Sequence, residues 1–167
     1  MAEDGIIILE AGESADEAKR LAELMNGKKD TVTLGSRAVL DAFFAMNGMD
    51  GKSGQICAAI APLAAEGETA VKQRLIDDVR MLPCKAETLL DFISAKCGAA
   101  DTVFALEQYC GISPEFDKAL DDFKALVLML LVYGVPAGRI SVDLAYSGGD
   151  EFRGAVFRLG DTAGGFR

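Results

Sequence analysis

Histidine is absent from this sequence of 167 residues, and its absence removes a whole set of catalytic chemistries. A Ser-His-Asp or Cys-His catalytic unit cannot be assembled without an imidazole base. Histidine-ligated zinc, histidine-ligated haem and imidazole pH switches are excluded for the same reason. An enzyme built on this chain would have to use carboxylates, lysine, cysteine, tyrosine or an external cofactor. Enzymatic activity by such groups stays open, a protein that is not an enzyme is favoured, and we predict no cofactor.

Positive charge is scarce, with 17 lysines and arginines against 26 acidic residues, for a net charge of −9. The longest basic runs are the pairs Lys19-Arg20 and Lys28-Lys29, and acidic residues flank both. Binding to nucleic acid needs clustered cations, and an acidic membrane surface repels an acidic protein. The sequence therefore predicts neither partner and favours basic proteins or cationic ligands. The alternative is that the charge only keeps the protein in solution.

Long apolar segments and export signals are also missing. The longest uninterrupted apolar run is Ala125–Tyr133, well short of the roughly 20 residues that span a bilayer. The first four residues include two acids and lack the basic start of a secretory signal. The cysteines lack the close paired spacing of a metal site and indicate reduced thiols. They are Cys57, Cys84, Cys97 and Cys110. We expect a cytoplasmic protein without a bound metal.

The length and the apolar half of the composition predict one domain, residues 1–162, followed by a flexible C-terminal tail, residues 163–167. The apolar run within Gly5–Glu10 predicts a strand, and Thr31–Leu34 predicts a second. A helix lies between them, since Ser14 and Glu17 form a capping box ahead of helical periodicity. About seven helices are expected in all. The predicted fold is therefore α+β and rich in helix.

Two further strands are predicted near the end of the chain. Apolar residues alternate with smaller or polar ones over 140–146, and a second apolar segment follows over 152–159. Residues 147–150 have turn composition, so we expect a C-terminal β-hairpin. A hairpin alone is marginal in water, and we expect it to join the N-terminal strands in one small mixed sheet.

The seventh predicted helix has the clearest signals. Ser113 suits the N-cap, Pro114 the first helical position, and Gly134 lies just beyond the end. An apolar stripe runs along the helix, and beyond Lys124 the other faces become apolar too. The residues that extend this surface are Leu128, Met129 and Val132. Two interpretations stay open: a central helix of the core, or half of a subunit interface in a homo-oligomer.

Two segments suggest anion binding at a helix start. Gly51-Lys52-Ser53-Gly54 shares Gly-Lys-Ser with phosphate-binding loops, but Met46 stands where that motif needs a glycine. Its simpler interpretation is a loop in which Ser53 caps a third helix. Ser36 and Arg37 follow the second strand, where backbone amides, a hydroxyl and an arginine suit a phosphate or carboxylate. Ordinary N-capping is the alternative there.

Cys84 is the one thiol that the sequence marks as reactive, since Lys85 and a predicted helix start lie beside it. The acidic pairs Asp77-Asp78 and Asp121-Asp122 do not converge on a point, because adjacent helical residues diverge by about 100°. The prediction that follows is a non-enzymatic, acidic protein-interaction module: a subunit, adaptor or inhibitor. The alternatives are a protein or enzyme that binds a small anion at Ser36-Arg37, and a thiol redox sensor at Cys84.

Overall fold

The computed structural model describes residues 7–9, 14–26, 31–94, 98–99, 102–147, 152–159 and 162–166. Within these ranges the α-helices are α1 (Ser14–Met25), α2 (Arg37–Met46), α3 (Ser53–Ile60), α4 (Leu63–Glu66), α5 (Glu68–Asp77), α6 (Pro83–Ser94), α7 (Thr102–Ala105) and α8 (Pro114–Val132). The strands are β1 (Ile7–Leu9), β2 (Val32–Ser36), β3 (Gly98–Ala99), β4 (Ile140–Val142), β5 (Ala155–Leu159) and β6 (Thr162–Phe166). Short 3-10 turns lie at Asp50–Lys52, Leu106–Tyr109 and Ala137–Arg139.

The strands form one mixed sheet in the order β1-β6-β5-β2-β4-β3. β2 pairs in parallel with β4 and antiparallel with β5, and β1 pairs in parallel with β6. Strands from both ends of the chain therefore share a sheet, as predicted. The result is an α+β domain in which, over the described ranges, far more residues lie in helices than in strands.

The C-terminal hairpin is present, but its strands are β5 and β6, paired from Leu159 opposite Thr162. The predicted pairing of residues 140–146 with 152–159 is wrong, because β2 lies between β4 and β5. Strand β4 ends at Val142, and the chain turns at once: the Asp143 carboxylate accepts a hydrogen bond from the backbone N–H of Ala145 at 3.0 Å. The alternation of apolar and polar residues indicates a half-buried strand, but it does not determine which strand pairs with it.

Residues 163–166 were expected in a flexible tail, and the structure places them in β6. Gly164 and Gly165, whose composition suggested fraying, are buried and let the strand approach its neighbours closely. A Cβ atom on Gly164 would overlap the carbonyl oxygen of Ile7 in β1. Phe166 is buried, and its ring centroid lies 6.1 Å from that of Phe157 in β5. Close packing against the neighbouring strands, and not conformational flexibility, explains why glycine occupies these two positions.

Helix α8 has the predicted ends and packs against α1 and α2. The Ser113 hydroxyl accepts a hydrogen bond from the backbone N–H of Phe116 at 3.3 Å, which caps the first turn. Behind α2, the rings of Phe43 and Phe92 stack with centroids 3.9 Å apart, which ties α2 to α6. The buried face of α8 thus belongs to the core of the domain.

Helix boundaries differ from the predictions around Pro83. The apolar spacing of Val71, Leu75, Val79 and Leu82 predicts a helix from about residue 69 to 82, and a further helix is predicted from about residue 86. In the structure, α5 ends at Asp77 and α6 begins at Pro83 itself. Proline suits the first helical position, because its missing N–H has no partner there anyway. None of the helices in the described ranges is long and apolar enough to cross a membrane.

Candidate functional site

Ser36 and Arg37 lie where β2 meets α2, and both make contacts within the chain. The Ser36 hydroxyl accepts a hydrogen bond from the backbone N–H of Val39 at 3.1 Å, as an N-cap does. Arg37 is only 5% exposed, and its Nε donates to the Asp41 carboxylate at 2.9 Å. Its backbone N–H donates to the carbonyl oxygen of Gly154. The predicted capping by Ser36 is thus observed, while anion binding by this pair stays a prediction.

The segment after β4 covers the end of β2 beside this pair. The backbone N–H of Asp143 donates to the carbonyl oxygen of Leu34 at 2.8 Å, and Ser147 is buried. The Tyr146 hydroxyl donates to the carbonyl oxygen of Phe157 at 3.3 Å. Burial raises the pKa of Tyr146, and the Arg158 guanidinium, 4.6 Å from its ring centroid, opposes that rise. The end of β2 is therefore closely packed against the segment after β4.

Lys52 and Ser53 lie at the start of α3, on the far side of the loop that follows α2. The expected Ser53 cap is wrong, because Lys52 holds the N-cap position of α3 and the Ser53 hydroxyl donates back to the carbonyl oxygen of Asp50. The Lys52 ammonium donates to the carbonyl oxygen of Val79 at 2.6 Å. That bond brings the loop after α2 to the connection between α5 and α6. Lys52 thus faces a part of the chain 27 residues away.

Cys84 is the second residue of α6 and is exposed as a free thiol. Its backbone carbonyl accepts a hydrogen bond from the Thr88 hydroxyl at 2.9 Å. Cys57 is buried, and the pKa of Cys110 is raised by its burial and by a hydrogen bond with Asp117. Exposure therefore sets Cys84 apart from these two; the fourth cysteine, Cys97, lies outside the described residues.

The C-terminal half of α8 carries an exposed apolar surface. Leu128 is 45% exposed, Val132 is 72% exposed, and Tyr133, just beyond the helix, is 42% exposed. Met129 is half-buried and packs against the core. Leu128 and Val132 stand four residues apart, so they lie on one face of the helix. We call Leu128, Val132 and Tyr133 the α8 apolar patch. Its exposure does not fit a helix covered on all sides by its own domain, and the subunit-interface interpretation stays a prediction.

A cleft of about 400 Å³ adjoins the α8 apolar patch, with Tyr133 as a shared residue. Its walls come from the end of α1 and from the turn that joins α8 to β4. Charged residues line the cleft, among them Lys19, Glu23 and Arg139. An apolar centre beside charged side chains is the usual composition of a protein–protein interface.

The segment before α8 is fixed to the helix by charge. Lys124 donates to the Glu107 carboxylate at 2.8 Å and also lies 3.4 Å from the Asp121 carboxylate. The hydrogen bond to Glu107 is the main cause of a raised Lys124 pKa. Lys124 marks the point where the exposed side of α8 changes from charged residues, such as Lys118 and Asp122, to apolar ones.

Some residues of these surfaces had no signal in the sequence. Tyr133 stands out in the sequence only as the end of an apolar run. Nothing in the sequence connects Lys52 with Arg80 and Lys85, which line the same pocket from the α5–α6 connection and from the start of α6. Their positions depend on how distant segments pack. No cluster of three or more acidic or cysteine side chains able to hold a metal ion occurs among the described residues.

No protein-family model and no curated protein matches this chain. Its fold is similar to that of histidyl-tRNA synthetase from Nostoc sp. PCC 7120, with a TM-score of 0.76 and 21% identity over 90% of this chain. It is also similar to an ATP phosphoribosyltransferase regulatory subunit/histidyl-tRNA synthetase from Bacillus halodurans C, with a TM-score of 0.71 and 14% identity over 90% of this chain. The chain spans only 37% and 40% of the lengths of those two proteins. At these identities the similarity shows the fold: this α+β arrangement also forms part of those larger proteins.

Proposed function

We propose that this chain is a non-enzymatic interaction module of the regulatory-subunit kind, and that it associates with another protein through the α8 apolar patch. The observation that carries the proposal is the exposure of Leu128 and Val132 on one face of the longest helix described. Placing such side chains in water is unfavourable, and covering them on association removes that cost.

Charge supports a heteromeric partner. The chain has a net charge of −9, and two copies brought together would repel each other. A partner with an apolar groove would cover the patch, and a basic surface on that partner would complement the net negative charge of this chain. The proposed occupant is therefore a different, basic subunit, and self-association is the competing outcome.

One structural neighbour adds support, because it is described as an ATP phosphoribosyltransferase regulatory subunit/histidyl-tRNA synthetase. A regulatory subunit acts by binding another chain, so the fold is compatible with such a role. The other neighbour is named as a synthetase, so the same fold also occurs in an enzyme. Since fold alone does not fix function, the proposal depends on the α8 apolar patch.

The test compares two variants with the same change in charge. Leu128→Glu combined with Val132→Glu lowers the net charge by two and places carboxylates in the patch. Lys118→Glu (+1 to −1) also lowers it by two, at an exposed position in the first half of the same helix. Each variant and the wild type are purified with an affinity tag from the source cells, and co-purifying chains are quantified.

We expect one partner in a fixed ratio to the wild type and to Lys118→Glu, and its loss from the double variant, with equal thermal unfolding of all three. A concentration-dependent dimer that the double variant abolishes would show self-association instead of the heteromeric partner. Equal recovery of the partner with all three proteins would overturn the assignment of this surface.

A further inference from the structure

A second surface has a composition unlike the rest of the chain. A pocket of about 270 Å³ lies between the loop after α2, the start of α3 and the connection from α5 to α6. The charged residues that line it are Lys52, Arg80 and Lys85, and no acidic residue is among its lining. In a chain with nine more negative than positive charges, three cations around one small pocket form a local field of opposite sign. We call it the cationic pocket.

The floor of the cationic pocket is apolar. Met49, Ile56 and Met81 line it and are buried. Leu82 lies at the rim and is largely exposed. A site with an apolar floor and a few convergent polar groups is the usual form of a small-molecule site, and this volume suits a small metabolite.

The three cations are positioned by the backbone around them. The Lys52 ammonium is held by the carbonyl oxygen of Val79 and keeps two further N–H donors. The Lys85 ammonium nitrogen lies close to Gly48, 3.4 Å from where a Cβ atom of that residue would stand. Lysines from two distant segments thus reach one pocket.

Arg80 is held in a strained conformation. Its φ angle is +62°, and among the described residues it is the only one other than glycine with a positive φ. A side chain as large as arginine rarely adopts this conformation, and such strain is concentrated at binding and active sites. Glycine would fit the backbone better, so the arginine at this position points to a use for its guanidinium.

Two helices begin at the cationic pocket. Lys52 directly precedes the first residue of α3, while Leu82 and Lys85 flank the first residues of α6. The N-terminal end of a helix carries partial positive charge, which adds to the field of the three side chains. The charge, the shape and the backbone strain of the pocket therefore favour a small anionic ligand.

We propose that the cationic pocket binds a small organic anion, with a phosphate or carboxylate at the three cations and an apolar body on the buried floor. Guanidinium and ammonium groups together suit an oxyanion, since both donate charge-assisted hydrogen bonds. The site is separate from the α8 apolar patch and does not depend on the proposed function.

Phenyl phosphate and benzoate are suitable probes, because each joins an apolar ring to one of the two anions. Inorganic phosphate and phenol are the matched probes that carry only the charge or only the ring. Binding is measured by isothermal titration calorimetry on the full chain at low and high salt. We expect the better of the two ring-bearing anions to bind at least about tenfold tighter than phosphate or phenol, and to weaken with salt. Whichever of the two is preferred identifies the anionic group.

The key variant is Arg80→Gly, because glycine accepts a positive φ without strain and the fold should persist. We expect this variant to lose affinity for the preferred probe at least about fivefold, and Lys85→Gln to do likewise. Lys118→Gln removes a cation from an exposed position on α8 and should leave binding unchanged. The proposal is overturned if neither ring-bearing anion binds better than phosphate and phenol, or if Arg80→Gly with Lys85→Gln binds as well as the wild type.

Discussion

Gly35 and Tyr146 lie so close together that a Cβ atom on Gly35 would overlap the Tyr146 carbonyl oxygen. The same atom would stand 2.9 Å from the carbonyl oxygen of Asp143. Both contacts are to backbone, which cannot rotate away as a side chain can. The glycine in β2 therefore allows the segment after β4 to close over the end of the sheet.

Gly35→Ala is expected to destabilise the domain, because the added methyl group forces the segment after β4 off β2. The cost should be about 1–3 kcal/mol or more, the range for overpacked sites. Gly138→Ala is the matched control, since nothing lies within 4 Å of its Cβ position. Urea unfolding of both variants measures the difference; equal stability of the two would contradict this packing.

Phe166 in β6 is expected to contribute strongly to stability, although the sequence placed it in a flexible tail. Its ring is buried against Phe157, so Phe166→Ala should cost about 3–5 kcal/mol. Phe104→Ala is the control, because Phe104 is 40% exposed and should cost far less. Thermal unfolding followed by circular dichroism compares them. If Phe166→Ala were as stable as Phe104→Ala, β6 would contribute little to stability, as the predicted flexible tail would.

Alkaline pH is expected to destabilise the protein. The pKa values of Tyr146 and Tyr109 are raised, mainly by burial, and that of Lys124 is raised, mainly by its hydrogen bond to Glu107. A raised pKa in the folded state means that unfolding releases protons at high pH. The stabilisation is complete below about pH 10 and is lost as the pH rises through the folded-state pKa values.

The free energy of unfolding should therefore fall as the pH rises above about 10, and Tyr146→Phe should show a shallower fall. Absorbance at 295 nm reports tyrosine ionisation in the same samples. If Tyr146→Phe and the wild type have the same slope, burial of this hydroxyl does not contribute to the pH dependence.

Cys84 is expected to be alkylated before Cys57 and Cys110, because it is the most exposed of these three thiols. Iodoacetamide labelling followed by peptide mass spectrometry gives the order and the rates. The redox-sensor hypothesis also requires that Cys84 react faster than a free thiol at neutral pH. A rate at or below that of free cysteine would reject the sensor and leave the order of labelling intact.

Local signals predicted much of the helical part of this fold. Helix α8 begins after Ser113 and ends before Gly134 as expected, because its caps and periodicity are encoded within one segment. Ser36 likewise caps α2 as a local rule predicts. These features depend on neighbours in sequence, so one sequence suffices to find them.

Strand pairing and the cationic pocket depend on distant segments. The alternation over 140–146 could not show that β2, more than 100 residues earlier, would separate β4 from β5. Arg80 lies between α5 and α6, where the apolar spacing predicts a continuous helix, and only packing brings it to Lys52. The apolar run on α8 likewise does not distinguish a core helix from an interface helix; packing within the chain leaves Leu128 and Val132 exposed.

Site-specific photo-crosslinking tests the central claim most directly, because it reports what touches the α8 apolar patch in the cell. A benzophenone amino acid is placed at position 128, 132 or 118, and crosslinked products are identified by mass spectrometry. The account predicts one shared protein partner at positions 128 and 132 and none at position 118. Crosslinks that are absent from 128 and 132, or identical at all three positions, would contradict it.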